Sequence, residues 1–232
     1  MAGESKSEQV YGQLRADILN GVLSPGQSLS ALDVGSRYAA SRTPVRQAFL
    51  RLEAEGLVSL VDRQGARVSP ISIKSVRDLF ELRILLEAAA ARMVAETVAR
   101  DSAARQQFEE VAEALEAISE EGASDDRRDR YYELTETYDQ AVIARTRNAQ
   151  LARSIAELRP HTERLRNIAH SRPGRLDVSL AEHLSMCRAI LSGDGAAAAA
   201  ACAEHLAQTQ RTILAAVVDP QGSGVSIDLV TA

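Results

Sequence analysis

Residues 41–58 have the sequence SRTPVRQAFLRLEAEGLV, which contains the clearest structural signals in the first part of the chain. Pro44 interrupts a helical pattern, but a proline is tolerated in the first turn of a helix, where its missing N–H is not needed. Ser41 or Thr43 can cap that helix. The apolar positions that recur at helical spacing are Val45, Phe49 and Leu52. We therefore predict a helix that starts near Pro44 and buries one side.

Arg42 and Arg46 lie one helical turn apart at the start of this helix and off its apolar side. The free N–H groups of a helix start, together with two guanidinium groups, form a surface suited to phosphate. The alternative is a solvated charged face, which is common for two arginines on a helix. The sequence of the neighbouring segments distinguishes between these two interpretations.

The composition limits the classes of protein that fit. Of the 232 residues, 45% are apolar and 25% charged, as is typical of a soluble globular protein. We expect a cytoplasmic location, because two cysteines are too few for a disulfide framework and neither a membrane-length apolar run nor a signal-peptide core is present. The formal charge of −5 is uneven, with +1 on residues 1–70 and −6 on the remainder. This asymmetry indicates two parts with different tasks.

The first seventy residues fit a winged helix-turn-helix. We predict helices at about residues 7–20, 30–38 and 43–56, and extended runs at 57–61 and 66–70 joined by a turn. In the second helix, Leu32 or Leu29 is expected to face inwards. The third helix of such a fold enters the major groove, where Arg42 and Arg46 would reach phosphates and guanine edges. Arg63, in the wing tip, would approach the DNA backbone or the minor groove.

The stretches VYGQLRADILNGVLSPGQSL, SRTPVRQAFLRLEAEGLV and RQGARV closely resemble the DNA-binding domain of GntR-family transcriptional regulators, over about residues 8–70. The resemblance implies a double-stranded DNA operator as partner. The residues expected to contact it are Arg37, Ser41, Arg42, Thr43, Arg46, Gln47, Arg63 and Gly65. Ala31 stands where the family often has an acidic residue, and Gly35 where it often has alanine. The operator sequence therefore cannot be copied from relatives.

Beyond residue 74 the pattern is helical throughout. The predicted helices lie at about residues 75–99, 102–120, 126–146, 149–170, 178–192 and 195–217. The fold class is accordingly mainly α, with an N-terminal winged helix-turn-helix and a small β-hairpin wing, followed by an all-α bundle of six to seven helices. The domain boundaries expected are 1–74 and 75–218, with residues 219–232 as a disordered tail.

Three polar residues fall on or beside the inner stripes of three different helices of this bundle, namely Asp139, His183 and His205. A single buried histidine is usually a satisfied core residue. Two imidazoles and a carboxylate that converge, however, suit a divalent transition metal such as zinc, nickel or manganese. Both interpretations stay open from patterning alone.

The stretches DLFELRILLEAAAARMVA, TYDQAVIARTRNAQL and AEHLSMCRAILSGDGAAAAAACAEHL resemble the FCD domain, the helical effector domain of one GntR subfamily, over about residues 76–212. Many FCD domains bind a metal through an Asp, a His four residues later and two further His. The last two correspond to His183 and His205. The first pair is altered, because Thr135 replaces the Asp and Asp139 replaces the His, in a register that the shared Asn148 supports.

The resemblance also implies an effector site and a dimer. Arg83 matches a position whose guanidinium is a plausible partner for an effector carboxylate, although it could equally form a salt bridge with Glu87. Thr135 and Asn148 are the other candidate effector-binding residues. The effector of relatives is most often an organic acid, and a homodimer is typical of such DNA readers.

We therefore predict a regulator of transcription that acts as a repressor, and not an enzyme. One alternative is a metal-dependent enzyme with an appended winged helix. Against it, the chain has no nucleophile motif, no glycine-rich phosphate loop and no general base paired with an open metal site. Another alternative is a DNA-binding dimer without effector control. No membrane partner is expected.

Overall fold

The computed structural model describes residues 5–62, 64–170 and 174–218. These residues form two compact units. The described part of the first unit comprises residues 5–62, 64–75, 159–168 and 216–218, and that of the second comprises 76–158, 169–170 and 174–215. The predicted tail at 219–232 lies outside the described residues.

The first unit contains the predicted winged helix-turn-helix. Its elements are α1 (Lys6–Leu19), β1 (Ser28–Leu29), α2 (Ala31–Arg37), α3 (Arg42–Ala54), β2 (Val58–Val61) and β3 (Gly65–Val68). Serines begin the first two helices, since the hydroxyls of Ser5 and Ser30 accept the N–H groups of Glu8 and Asp33. The turn from α2 to α3 runs through Ala39, which has a φ of +50°.

The wing is a three-stranded antiparallel sheet rather than a two-stranded hairpin. Its order is β1–β3–β2, with Leu29 paired to Ala66 on one side of β3 and Val61 paired to Gly65 on the other. The prediction missed β1 because two residues show no alternation. Leu29, which lies in β1, is buried, whereas Leu32 on α2 is 62% exposed. Of the two leucines that the sequence offered as inward-facing, the one that packs inside is therefore in the strand and not in the helix.

The core of the first unit lies between its three helices and the wing. Side chains from every one of these elements are buried in it, including Leu14, Val34, Phe49, Val58 and Val68. The apolar positions of α3 that were expected to face inwards are at most 1% exposed. This packing fixes the orientation of α3, and with it the side of the helix that faces solvent.

The second unit is helical, and all six helices predicted there are present. They are α4 (Ile73–Val98), α5 (Ser102–Ser119), α6 (Asp125–Arg145), α7 (Ala149–His170), α8 (Arg175–Leu191) and α9 (Gly195–Val218). Two predicted breaks are helix caps, because the side chain of Asp101 accepts an N–H at the start of α5 and that of Asn148 accepts two at the start of α7. Pro160 lies within α7, part of which (residues 159–168) belongs to the first unit.

None of the helices in the described residues combines the length and the hydropathy that crossing a membrane would require.

Candidate functional sites

The start of α3 presents a polar side to solvent. The exposed side chains there are those of Ser41, Arg42, Thr43, Arg46 and Gln47. Pro44 lies in the first turn, as predicted, and the hydroxyl of Ser41 makes no capping hydrogen bond. Because Val45 and Phe49 are buried on the opposite side, these five side chains are held outwards by the packing of the helix.

The four arginines in and around this helix fall into two groups. Arg37 binds Asp17 at 2.8 Å, and Arg51 binds Glu8 at 2.5 Å while its guanidinium lies 3.6 Å from the centre of the Tyr11 ring. The side chains of Arg42 and Arg46 form no ion pair or hydrogen bond with any residue in the described part of the chain. These two are therefore the arginines whose charge is available to an external partner.

In the wing, Gly65 has a structural reason to be glycine. Its φ is +112°, and a Cβ built there would lie 2.2 Å from the carbonyl oxygen of Leu29 on the neighbouring strand. The close approach of β1 to β3 thus excludes a side chain at this position. Arg63, the other residue predicted to contact DNA from the wing, lies outside the described residues.

In the second unit, Arg83 of α4 is buried and forms the predicted salt bridge with Glu87. The Nε atom donates to Glu87 at 2.7 Å and a terminal nitrogen donates to it at 3.2 Å. Burial lowers the pKa of the Arg83 guanidinium. The carboxylate of Glu87 raises it, the carboxylate of Asp139 raises it by less, and the net effect is a pKa above the ordinary value. Arg83 therefore stays charged in the interior, with two carboxylates near it, and its predicted role as an effector ligand stays a prediction.

His183 of α8 lies in a buried cluster of hydrogen bonds. Its Nδ1 atom is 2.8 Å from the backbone oxygen of Ser179 and 3.1 Å from the hydroxyl of Tyr131, which is itself 2.6 Å from the Ser179 hydroxyl. A carbonyl oxygen can only accept, so Nδ1 of His183 carries the proton. In the neutral imidazole the lone pair is then on Nε2.

His205 of α9 lies beside His183, with 4.5 Å between the ring centroids and the rings at 71°. Its Nδ1 atom is 2.7 Å from a carboxylate oxygen of Glu182. Burial lowers the pKa of His205 in spite of this carboxylate, and hydrogen bonds from His205 and Arg175 lower the pKa of Glu182 in spite of its burial. The stable arrangement is a neutral imidazole that donates from Nδ1 to an ionised carboxylate.

These two histidines fit the chemistry of metal ligands. A ligating imidazole usually donates its second N–H to a carboxylate or a carbonyl, as both rings do here, and thereby directs Nε2 to the metal. Among residues 5–62, 64–170 and 174–218, however, no three His, Cys, Asp or Glu side chains form a group that could hold a metal ion. A three-ligand site made of Asp139, His183 and His205 therefore stays a prediction.

Thr135 and Asn148, predicted to contact an effector, have local partners. Thr135 is buried, and its hydroxyl donates to the backbone oxygen of Tyr132 at 3.0 Å. Asn148 is exposed and caps α7 through its Oδ1 atom. Their roles towards an effector stay predictions, although the capping of α7 accounts for an asparagine at position 148.

The sequence analysis missed Arg175, which is buried at the start of α8. Its two terminal nitrogens donate to Glu182 at 3.1 and 2.8 Å, and one of them also donates to Thr209 at 2.8 Å. Its Nε atom is the one buried side-chain N or O atom without a hydrogen-bond partner in the described part of the chain. The tetrapeptide AEHL occurs at 181–184 and again at 203–206, but it gives no signal that Arg175 and His205 both bind Glu182.

Comparison with known proteins agrees with both units. Residues 6–68 match the family model of bacterial regulatory proteins of the gntR family, and residues 78–208 match the FCD domain. The transcriptional repressor RspR of Escherichia coli strain K12 is 28% identical over 208 residues, which cover 89% of this chain and 88% of that protein.

Solved structures show the same fold. E. coli McbR/YncC superposes with a TM-score of 0.72 at 21% identity, over 93% of this chain and 100% of that one. A GntR regulator from Rhodococcus sp. RHA1 gives a TM-score of 0.66 at 18% identity, over 92% and 99%. Because the FCD match alone spans more than half of the 232 residues and the gntR match precedes it, the chain belongs to the gntR family of bacterial transcriptional regulators, in the group that carries an FCD domain.

Proposed function

We propose that this regulator is a sequence-specific repressor whose binding to its operator is controlled by a small anionic effector, a carboxylate, held in the second unit. The proposal for DNA rests on Arg42 and Arg46, which project from the start of α3 and have no partner among the described residues. Two such helices in a homodimer would read two half-sites of one operator. The sign of regulation follows from similarity to RspR, which is called a repressor.

The observation that carries the effector proposal is the Nε atom of Arg175. A buried donor without an acceptor costs about 1–3 kcal/mol, so a buried N–H without a partner points to a group that arrives from outside. The guanidinium holds Glu182 with its terminal nitrogens, and Nε is the donor that remains. A carboxylate oxygen is the acceptor that a guanidinium binds most strongly.

The neighbours of Arg175 suit a small polar molecule. Glu182, which accepts from Arg175, also accepts from His205, and the ring of His205 packs against that of His183. The hydroxyl of Thr209, next to Arg175, and the imidazoles of His183 and His205 can bind the hydroxyls of a hydroxy acid. Arg83 remains the second candidate for the carboxylate, but its Nε and one of its terminal nitrogens already bind Glu87.

The test is a thermal-shift screen of organic acids, carried out on the wild type, on Arg175→Lys and on Arg83→Lys. A lysine keeps the positive charge and has no Nε–H donor at the corresponding position. An acid that binds at Arg175 should raise the melting temperature of the wild type and of Arg83→Lys, and should not raise that of Arg175→Lys above its own unliganded value. The same acid should release the protein from operator DNA. Consumption of the acid would instead favour the alternative of a metal-dependent enzyme.

We further propose that His183 and His205 hold a divalent transition metal through their Nε2 atoms, with Asp139 as the carboxylate of the site. A bound divalent ion would supply positive charge for an anionic effector. The Nδ1 atom of His183 donates to the backbone oxygen of Ser179, and that of His205 donates to the Glu182 carboxylate. These two hydrogen bonds fix the tautomer of each ring.

Elemental analysis of protein purified without a histidine tag tests this site, with His183→Ala as the control. The wild type should carry close to one equivalent of zinc, nickel or manganese, and the variant should lose most of it. Equal traces in both proteins would reject the metal and leave Arg175 and Arg83 as the groups that bind the effector.

A further inference from the structure

The turn that joins α2 to α3 comes very close to α2 at Gly35. This glycine is buried within α2, and a Cβ built on it would lie 2.7 Å from the carbonyl oxygen of Ala40. That distance is shorter than a side-chain carbon can keep from a backbone oxygen. The N–H of Ala40 also donates to the carbonyl oxygen of Gly35, at 2.9 Å. Ala40, two residues before α3, therefore packs directly on the backbone of α2.

The close approach explains Gly35 better than its own backbone does. The φ of Gly35 is not positive, and the residue lies in a regular helix, where glycine is less favourable than alanine. The residue of the turn that does have a left-handed backbone is Ala39, with a φ of +50°. Position 35 thus requires the absence of a Cβ, so that the turn can lie against α2.

A Cβ at position 35 would displace the turn rather than α2. The end of α2 is tied to α1, because the hydroxyl of Tyr38 donates to the carboxylate of Asp17 at 2.6 Å. The start of α3 is held less tightly. The hydroxyl of Ser41 makes no capping hydrogen bond, and the side chain of Arg42 has no partner in the described part of the chain. The displacement would therefore reach the first turn of α3.

We propose that Gly35 is a positioning residue for operator recognition, which sets how closely the start of α3 approaches α2 and thereby where Arg42 and Arg46 meet the bases. A Cβ would push the turn outwards by roughly half an ångström to reach an ordinary contact distance. Groups that recognise a ligand have to be held within about 0.5 Å of their productive positions, so hydrogen bonds to base edges would weaken. The attraction to phosphates depends on charge and would remain.

The ratio of specific to non-specific affinity in Gly35→Ala tests this role. An operator is selected in vitro with the wild type, and fluorescence anisotropy then measures binding to it and to an unrelated duplex of the same length, at one salt concentration. The ratio of the two affinities should fall roughly tenfold in Gly35→Ala, with the affinity for the unrelated duplex little changed. A loss of folded protein would weaken both affinities alike, so a purely structural role would leave the ratio unchanged.

Gly12→Ala is the matched control. Gly12 also lies within a helix of the first unit, α1, but a Cβ built on it meets no atom within 4 Å. This variant should keep the wild-type ratio.

A second substitution in the turn tests the route of the effect. Glycine at position 39 can adopt more backbone angles than alanine, so the turn could yield to a Cβ at position 35 with less movement of α3. The double variant Gly35→Ala/Ala39→Gly should therefore recover part of the lost ratio, while Ala39→Gly alone should keep the wild-type ratio. A double variant no better than Gly35→Ala would overturn the inference.

The inference rests on the DNA contacts of the proposed function, but the two failures differ. A wild-type ratio in a Gly35→Ala variant that is folded by circular dichroism would reject the positioning role and leave the proposed function standing. If Gly35→Ala alone does not fold, the double variant is compared with Ala39→Gly: a lower ratio supports the role of Gly35, and an equal ratio rejects it. A wild type that selects no duplex at all would reject the proposed function and this inference together.

Discussion

The arginines at the start of α3 and those inside the second unit differ in what surrounds them. Arg42 and Arg46 are exposed and have no ion-pair partner among the described residues, whereas Arg83, Arg127 and Arg175 are buried and each binds a carboxylate. A buried charge needs a partner because its desolvation is costly, and an exposed one does not. The difference separates arginines that hold the fold from arginines that are available to another molecule.

The largest expected effect is that of salt on DNA binding. A dimer that touches about 6–10 phosphates should lose roughly 10³–10⁵ in affinity between about 50 and about 200 mM salt. The net charge of −5 makes this informative, because only local positive charge can attract the duplex. Fluorescence anisotropy with duplexes selected in vitro measures it. A flat response would mean that the exposed arginines of α3 do not contact phosphate.

The next effect concerns the fold. Arg175→Met should lower the free energy of unfolding by about 3 kcal/mol, because Glu182 keeps its charge in the interior and loses its guanidinium partner. Urea unfolding measures this change. Arg42→Met is the matched control, since it removes an exposed arginine without a partner, and we expect it to stay within about 0.5 kcal/mol of the wild type. Equal losses in both variants would remove the distinction between the two groups of arginines.

For DNA affinity, we expect the exposed arginines of α3 to matter more than the arginines that are held by a partner. Arg46→Ala should weaken specific binding by about 1–3 kcal/mol if Arg46 reads a base, with no change in stability. Arg51→Ala is the control, because Arg51 lies further along the same helix but is held by Glu8 and Tyr11. An Arg46→Ala variant with wild-type affinity, beside a weakened Arg51→Ala, would show that the side of α3 that meets DNA has been assigned wrongly.

Much of the first unit could be predicted because its signals are local. Pro44, the apolar spacing of Val45 and Phe49, and the glycine at position 65 each act within a few residues, and α3 and the wing formed where expected. Strand β1 was missed because its two residues are extended only through their pairing with β3. Its neighbour in sequence, α2, therefore begins one residue later than predicted.

The interior of the second unit was less predictable because its pairs join different helices. The tetrapeptide AEHL occurs on both α8 and α9, so the local sequence around Glu182 and Glu204 is the same. Glu182 is turned inwards to Arg175 and His205, while Glu204 is 72% exposed and binds Arg211. Only the packing of α8 against its neighbours distinguishes the two glutamates, and no local pattern carries that information.

The smallest expected effect concerns the turn that precedes α3. Ala39 has a φ of +50°, a left-handed conformation that costs an L-residue with a Cβ about 1–2 kcal/mol. Glycine adopts it without that cost but has more freedom to lose on folding, so Ala39→Gly should raise the free energy of unfolding by about 0.5–1 kcal/mol. The side chain of Ala39 is exposed, and the contacts of α3 should not change.

The matched control is the same substitution at Ala16, which is exposed within α1. There glycine meets an ordinary helical conformation and should lower the free energy of unfolding by about 0.5–1 kcal/mol. Urea unfolding of the two variants should therefore give changes of opposite sign, with DNA affinity unaltered in both. If both variants are destabilised, Ala39 is not strained in solution, and the turn that sets the direction of α3 has a different backbone from the one described.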